Sequence, residues 1–137
     1  RRQAPGNYDP PDAVLMILEA GIQIERVTMS SDGNLSSARR DAQRRPIAWY
    51  TAGCEFLYRE WLAVKQRCNL PLPEALKLIT TNIARVLKLE HKKGRIAPGL
   101  DADLLIADPA LEIQTTIARG NILMRDRQVL VEPPFPG

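Results

Sequence analysis

IQIERVTMSSDGNLSS, residues 22–37, is the stretch that decides the fold. Its part from Ile24 to Met29 is a short apolar run that breaks into serine, aspartate and glycine, the signature of a buried strand ending in a turn. Upstream, Val14, Ile17, Leu18 and Gly21 fall on one face of a helix that Asp9 and Pro10 begin and Gly21 ends. Helix, short gap and strand is the rhythm of parallel-sheet α/β proteins. In a βα barrel the C-terminal ends of the strands form the catalytic face. Asp32 is therefore expected to be a carboxylate delivered to a strand end.

Working outward, the 137-residue chain is 45% hydrophobic and 26% charged with a net charge of +3, enough for one ordinary domain or two small ones. So mixed a charge pattern does not make nucleic acid the expected partner. Arg39, Arg40, Arg44 and Arg45 stand in two pairs within a polar stretch from Leu35 to Pro46, which reads as a solvated loop. No aromatic residues alternate with these arginines, which argues against single-strand binding. An apolar run of 18 residues is missing, so no membrane span is expected, and no secretory leader is read. Cys54 and Cys68 lie on one predicted helix about 21 Å apart, too far to bridge. Free thiols fit a reducing compartment, and the expected location is the cytoplasm.

Cys54, Leu57, Tyr58, Trp61 and Leu62 recur at helical spacing, with Tyr58 and Trp61 as core anchors. A second helix is predicted from Pro73, with Glu74 in its first turn, through Leu76, Ile79, Ile83 and Val86 to Leu87. Beyond Leu89 the pattern changes to a strand-like Arg95–Ala97, a type II turn at Pro98-Gly99 and an apolar strand from Leu104 to Ala107. Two or three short strands follow, with turns at Gly120-Asn121 and Asp126-Arg127. A boundary near residue 90 divides a helical part, 1–89, from a small β unit, 90–137. The single histidine, His91, reads as a solvent-facing loop residue that anchors no metal by itself.

These pieces together are similar to the C-terminal end of the metal-dependent amidohydrolase superfamily. VTMSSDGN, EALKLITTNIARVLKL, KKGRIAPGLDADLLIADPALEI and IARGNILMRDRQVLV carry the likeness, over about residues 12 to 132. Gly94 to Leu104 marks the superfamily, whereas SSDGN resembles the isoaspartyl (β-aspartyl) dipeptidases. The resemblance implies an α/β chain: the C-terminal part of a (β/α)8 amidohydrolase barrel, its last helix–strand–helix units, followed by part of a small β-sandwich. It implies two zinc ions in the complete protein, with this chain alone holding none. Asp32 would be both a metal ligand and the catalytic acid and base, taking a proton from the attacking hydroxide and delivering it to the leaving amine. Ser36 would hydrogen-bond a substrate carboxylate, and Gly33 and Asn34 would shape the turn between them. The implied substrates are β-aspartyl dipeptides, and a homo-oligomer is expected.

Departures from the family pattern are specific. Leu35 stands where the family has a glycine between the asparagine and the serine, and Arg127 replaces a common glycine in the last turn. The His-x-His pair, the bridging lysine or glutamate and the two later histidines that the family's metal site requires are not in this sequence, which is also short of the roughly 250 residues of an eight-stranded barrel. Two alternatives stay open: another amidohydrolase, such as a cyclic amidase or deaminase, or an inactive remnant acting as an interaction module. The last expects apolar residues such as Val27 and Met29 to be exposed.

Overall fold

The computed structural model describes residues 9–33, 36–43, 45–51 and 53–131, with the backbone alone at residues 36, 37, 39, 40, 50 and 51. Helix α1, Pro10–Glu19, starts as the sequence predicts, with proline in its first turn. Asp9 occupies the N-cap position without making a capping bond and instead lies 3.9 Å from Arg67. Gly21, at φ +77°, ends the helix in a Schellman motif: its N–H bonds to Leu18, and that of Ile22 reaches Ile17.

The expected strand from Ile24 to Met29 does not form as one. Ile24–Arg26 is a single 3-10 turn, and residues 27–32 run outside any ladder. A strand is defined by a neighbour's hydrogen bonds, and among the described residues none runs beside this segment. Its side chains still follow the two-residue period of extended chain. Val27 is buried and Met29 half-buried, while Thr28 and Ser30 are exposed. The exposure expected of Val27 and Met29 is thus corrected, because that face packs on the helices.

The arginine-rich loop is a hairpin. Strands β1, Ser36–Arg40, and β2, Pro46–Thr51, pair antiparallel with Ala38 opposite Trp49. Asp41 organises its end, since Oδ1 accepts the N–H of both Gln43 and Arg45 at 2.9 Å and Oδ2 pairs with the Arg45 guanidinium at 2.8 Å. These bonds hold the Asp41 carboxyl below the usual aspartate range.

Helix α2, Glu55–Arg67, places Trp61 in the centre of the core with Val64, Ala75, Leu78, Val14 and Val27. The Trp61 indole N–H donates to the Ala75 carbonyl at 2.7 Å, and the Tyr58 ring lies 5.3 Å from its own. Both aromatics are core anchors, as expected.

The helix predicted from Pro73 to Leu87 is two helices, α3, Leu72–Lys77, and α4, Thr81–Val86. Between them the bonds tighten to i→i+3, and Thr80 leaves helical geometry at φ −130°, ψ −90° with its hydroxyl bonded to Leu76 O. Apolar periodicity continues through the break, which is why sequence alone does not reveal it.

After α4 the chain forms a four-stranded antiparallel meander: β3, Leu104–Ala107, β4, Ile113–Ala118, β5, Asn121–Arg125, and β6, Gln128–Val129. Pro98-Gly99 makes the expected type II turn, with Gly99 at φ +85° and Leu100 N–H on Ala97 O. The Asp126-Arg127 turn also forms, Arg127 adopting φ +66° where a glycine would be free of strain. The neighbouring turn is centred on Arg119-Gly120, one residue before the expected pair, because Asn121 already belongs to β5. Arg95–Ala97 is not a strand; Ile96 is exposed and Arg95 bonds back to Glu90 O. The acidic pair of the tail fastens this sheet's entry. Lys93 pairs with Asp101 at 3.1 Å and with Asp103, and Asp103 accepts the N–H of Arg119 at 2.7 Å. Tyr58 ties helices to sheet by donating to Leu111 O at 2.6 Å.

Candidate functional site

Asp32 ends the extended segment, exposed, with φ +49°. Aspartate tolerates the left-handed region better than most residues, and two serines stabilise the turn around it. The Asp32 N–H donates to Ser30 Oγ at 3.2 Å, that hydroxyl faces Asp32 Oδ1 at 3.4 Å, and the Gly33 N–H donates to Ser31 Oγ at 3.1 Å. The Asp32 side chain is exposed, and among the described residues its one side-chain hydrogen-bond partner is Ser30.

Gly33 is needed here for a close approach. A Cβ at this position would lie 2.8 Å from Cys54 Sγ and 3.1 Å from Ser31 Oγ. The thiol at the head of α2 therefore packs directly on the turn that carries Asp32, a neighbourhood that helical spacing alone did not suggest. Ser36 opens β1 opposite Thr51. Asn34, expected to shape the turn, and Leu35 lie outside the described residues, as does Arg44 of the hairpin. His91 is exposed, as expected.

Both cysteines are free, Cys54 exposed and Cys68 partly covered. Burial pushes the Cys68 thiol above its usual value, leaving less thiolate at neutral pH. Brief treatment with iodoacetamide at pH 7.5 is expected to label Cys54 and leave most of Cys68 unmodified, as read by peptide mass spectrometry. Equal labelling would contradict this packing.

Three residues of α3, its C-terminal end and α4 hold the segment that leads to Asp32. The Met29 N–H bonds to Leu78 O at 3.0 Å, a carbonyl at the α3–α4 break. Asn82, on the first turn of α4, sends its amide N–H groups to Ile24 O and Val27 O, both at 2.8 Å. Lys77 joins Glu25 at 2.7 Å to Glu74 at 2.8 Å. Neither Asn82 nor Lys77 was singled out by sequence reading. For Asn82 the available signal was an amide set among the apolar positions of a predicted helix.

The Lys77 ammonium holds the Glu25 carboxyl below the usual glutamate range, and hydrogen bonds to Glu25 and then Glu74 hold Lys77 above the lysine range. Glu25 is depressed, so its contribution is present above about pH 4.3 and is lost as the pH falls through its lower folded value. Lys77 is raised, so its contribution is complete below about pH 10.4 and disappears as the pH rises through the higher folded value. Lys77→Met is expected to lower the melting temperature slightly at pH 7, with the gap from wild type closing near pH 2. A gap independent of pH would show that packing of the lysine stem, not charge, is responsible.

Among the described residues no three His, Cys, Asp or Glu side chains gather to hold a metal ion. A zinc centre takes three or four protein ligands, and Asp32 offers one carboxylate. The residues present do not by themselves fit a metal centre. Among the described residues, no helix is long and apolar enough to cross a membrane.

Comparison with known proteins agrees on the broad class and divides on the substrate. The chain superposes on a solved β-aspartyl dipeptidase of Fervidobacterium islandicum AW-1, crystallised with a β-Asp-Leu dipeptide, with a TM-score of 0.76 and 33% identity over 91% of this chain and 33% of that one. Adenine deaminase 4 of Rhizobium meliloti (strain 1021) is 36% identical over 64 residues, 44% of this chain and 11% of that protein. Imidazolonepropionase of Picrophilus torridus is 44% identical over 52 residues, 38% of this chain and 13% of that protein. The chain thus spans a third of the solved dipeptidase and a far smaller share of the curated relatives. The model of the amidohydrolase family matches residues 11–123, and with its α/β content and small antiparallel sheet the chain belongs to that family.

Proposed function

We propose that the protein carrying this chain hydrolyses the β-aspartyl amide bond of dipeptides, with Asp32 as the proton carrier. The observation that carries the reading is the likeness to the β-aspartyl dipeptidase over 91% of this chain. An exposed carboxylate on a serine-braced turn suits the role. An amide nitrogen leaves poorly unless protonated. A carboxylate that accepts a proton from the attacking water can return it to that nitrogen as the C–N bond breaks, and it is then ionised again for the next cycle.

Ser36, four residues on, is proposed to bind the dipeptide's carboxylate, with Gly33 and Asn34 forming the turn between them. The remaining strands of a (β/α)8 barrel, the other half of a β-sandwich, the ligands for two zinc ions and a homo-oligomeric assembly in the cytoplasm belong to the same proposal. Asp32 is proposed as one of the zinc ligands, and everything else would come from residues other than those described. The division near residue 90 is retained, with barrel before it and sandwich after it.

Similarity to an adenine deaminase and an imidazolonepropionase favours a second reading, hydrolysis within a ring. A panel of β-Asp-Leu, other β-aspartyl dipeptides, adenine, imidazolonepropionate and hydantoin separates the two. The proposal expects kcat/KM for the dipeptides to exceed that for the rings by at least about a hundredfold. A reversed preference would assign the protein to the ring hydrolases.

A further inference from the structure

Asn82 is 1% exposed, the one polar side chain in the buried set among the described residues. Its two donated bonds are of ordinary length and end on backbone carbonyls three residues apart, Ile24 O and Val27 O. Its own oxygen, Oδ1, is buried and accepts from no group among the described residues. A buried amide oxygen without a donor opposes folding, so an apolar side chain would serve packing better. What the amide adds is two directed donors, both spent on the same short segment.

Apart from the Glu25–Lys77 ion pair and the burial of Val27, that segment has little else to hold it among the described residues. It lacks a ladder partner among the described residues, and five residues after Val27 it presents Asp32. Asn82 fixes the carbonyls of residues 24 and 27, and the Leu78 carbonyl fixes the amide of residue 29. From Ser30 to Gly33 the hydrogen bonds among the described residues are the local serine bonds around Asp32 and Gly33. The α3–α4 break makes this clamp possible, since it frees Leu78 O and begins a new helix whose first turn carries Asn82.

We propose that Asn82 is a positioning residue for Asp32: it clamps the segment from Ile24 to Met29 and so sets the direction in which the carboxylate is presented. The proposal rests on the reading of Asp32 as proton carrier. The amide of Asn82 touches neither substrate nor the reacting atoms, and it acts through the backbone.

The test compares wild type with Asn82→Ala and with the milder Asn82→Ser, which keeps one donor, in the full protein that carries this chain. Hydrogen exchange is followed at the Met29 amide and at the amides of α2, and kcat and KM are measured with β-Asp-Leu per folded molecule. Loss of the clamp is expected to speed exchange at Met29 by about tenfold or more while α2 amides keep their wild-type rates. Turnover is expected to fall by about 10- to 100-fold with KM changed less than about threefold, because a displaced proton carrier weakens the reaction more than binding. Asn82→Ser is expected to fall between the two, and it decides the matter if Asn82→Ala does not fold. Exchange that rises equally everywhere with kcat retained, or no change at Met29, overturns the proposal. If wild type does not act on β-aspartyl dipeptides, the dipeptidase reading fails instead, and selective exchange at Met29 still upholds the clamp.

Discussion

Asp32→Asn is expected to lower kcat on β-aspartyl dipeptides by about 10²- to 10⁴-fold, the range that a positioned acid and base contributes, while the protein unfolds at close to its wild-type temperature. The separation of the two effects follows from the geometry. Asp32 is exposed and sits at φ +49°, a region that asparagine enters about as readily as aspartate. An amide oxygen in place of Oδ1 still accepts from Ser30 Oγ, so the turn keeps its bonds among the described residues. The ability to carry a proton is what disappears. Asp32→Ala is a poorer experiment, since alanine in the left-handed region adds about 1–2 kcal/mol of backbone strain to the chemical loss. Turnover by Asp32→Asn at the wild-type rate would remove Asp32 from the mechanism. An Asp32→Asn protein that melts far below wild type would show instead that the carboxylate is structural.

The largest loss of stability is expected from Trp61→Ala, about 3–5 kcal/mol, measured by denaturant unfolding. Trp61 is 1% exposed against Val64, Ala75 and Leu78, each at 0%, so the removed indole leaves a cavity that neighbours on three elements cannot fill without moving. It also removes a 2.7 Å bond to the Ala75 carbonyl. That carbonyl still accepts the Leu78 N–H at 3.2 Å, so Trp61→Phe, which keeps most of the apolar volume, is expected to cost less than half as much. The consequence reaches the site. Trp61 anchors α3, α3 ends at the break that presents Leu78 O, and that carbonyl holds Met29 three residues before Asp32. A loss below about 1 kcal/mol for Trp61→Ala would mean that the core is not organised around it.

The sequence by itself determined the elements whose signals are local. Pro10 and Gly21 bound α1 because proline suits a helix's first turn and glycine its left-handed end. The Pro98-Gly99 and Asp126-Arg127 turns, the strand Leu104–Ala107 and the burial of Trp61 were equally legible, since each depends on residue chemistry within a few positions. The motif around Asp32 was legible for the same reason: serine, aspartate and glycine can build that turn from their own side chains.

Tertiary structure decided what depends on a partner. Apolar run and period two described the segment from Ile24 to Met29 as extended, but whether it becomes a strand depends on which backbone lies beside it. Here its partners are one backbone carbonyl, Leu78 O, and the side-chain amide of Asn82. The arginine-rich stretch became a hairpin through Asp41, whose carboxylate gathers two backbone amides and a guanidinium that composition treats only as charges. The predicted long helix broke at Leu78–Thr80 although its apolar spacing continues, because periodicity reports which face is buried and is blind to whether the axis turns. Asn82 joined the site by the same route: nothing within its own helix explains a buried amide, and only the folded chain brings it the two carbonyls it holds.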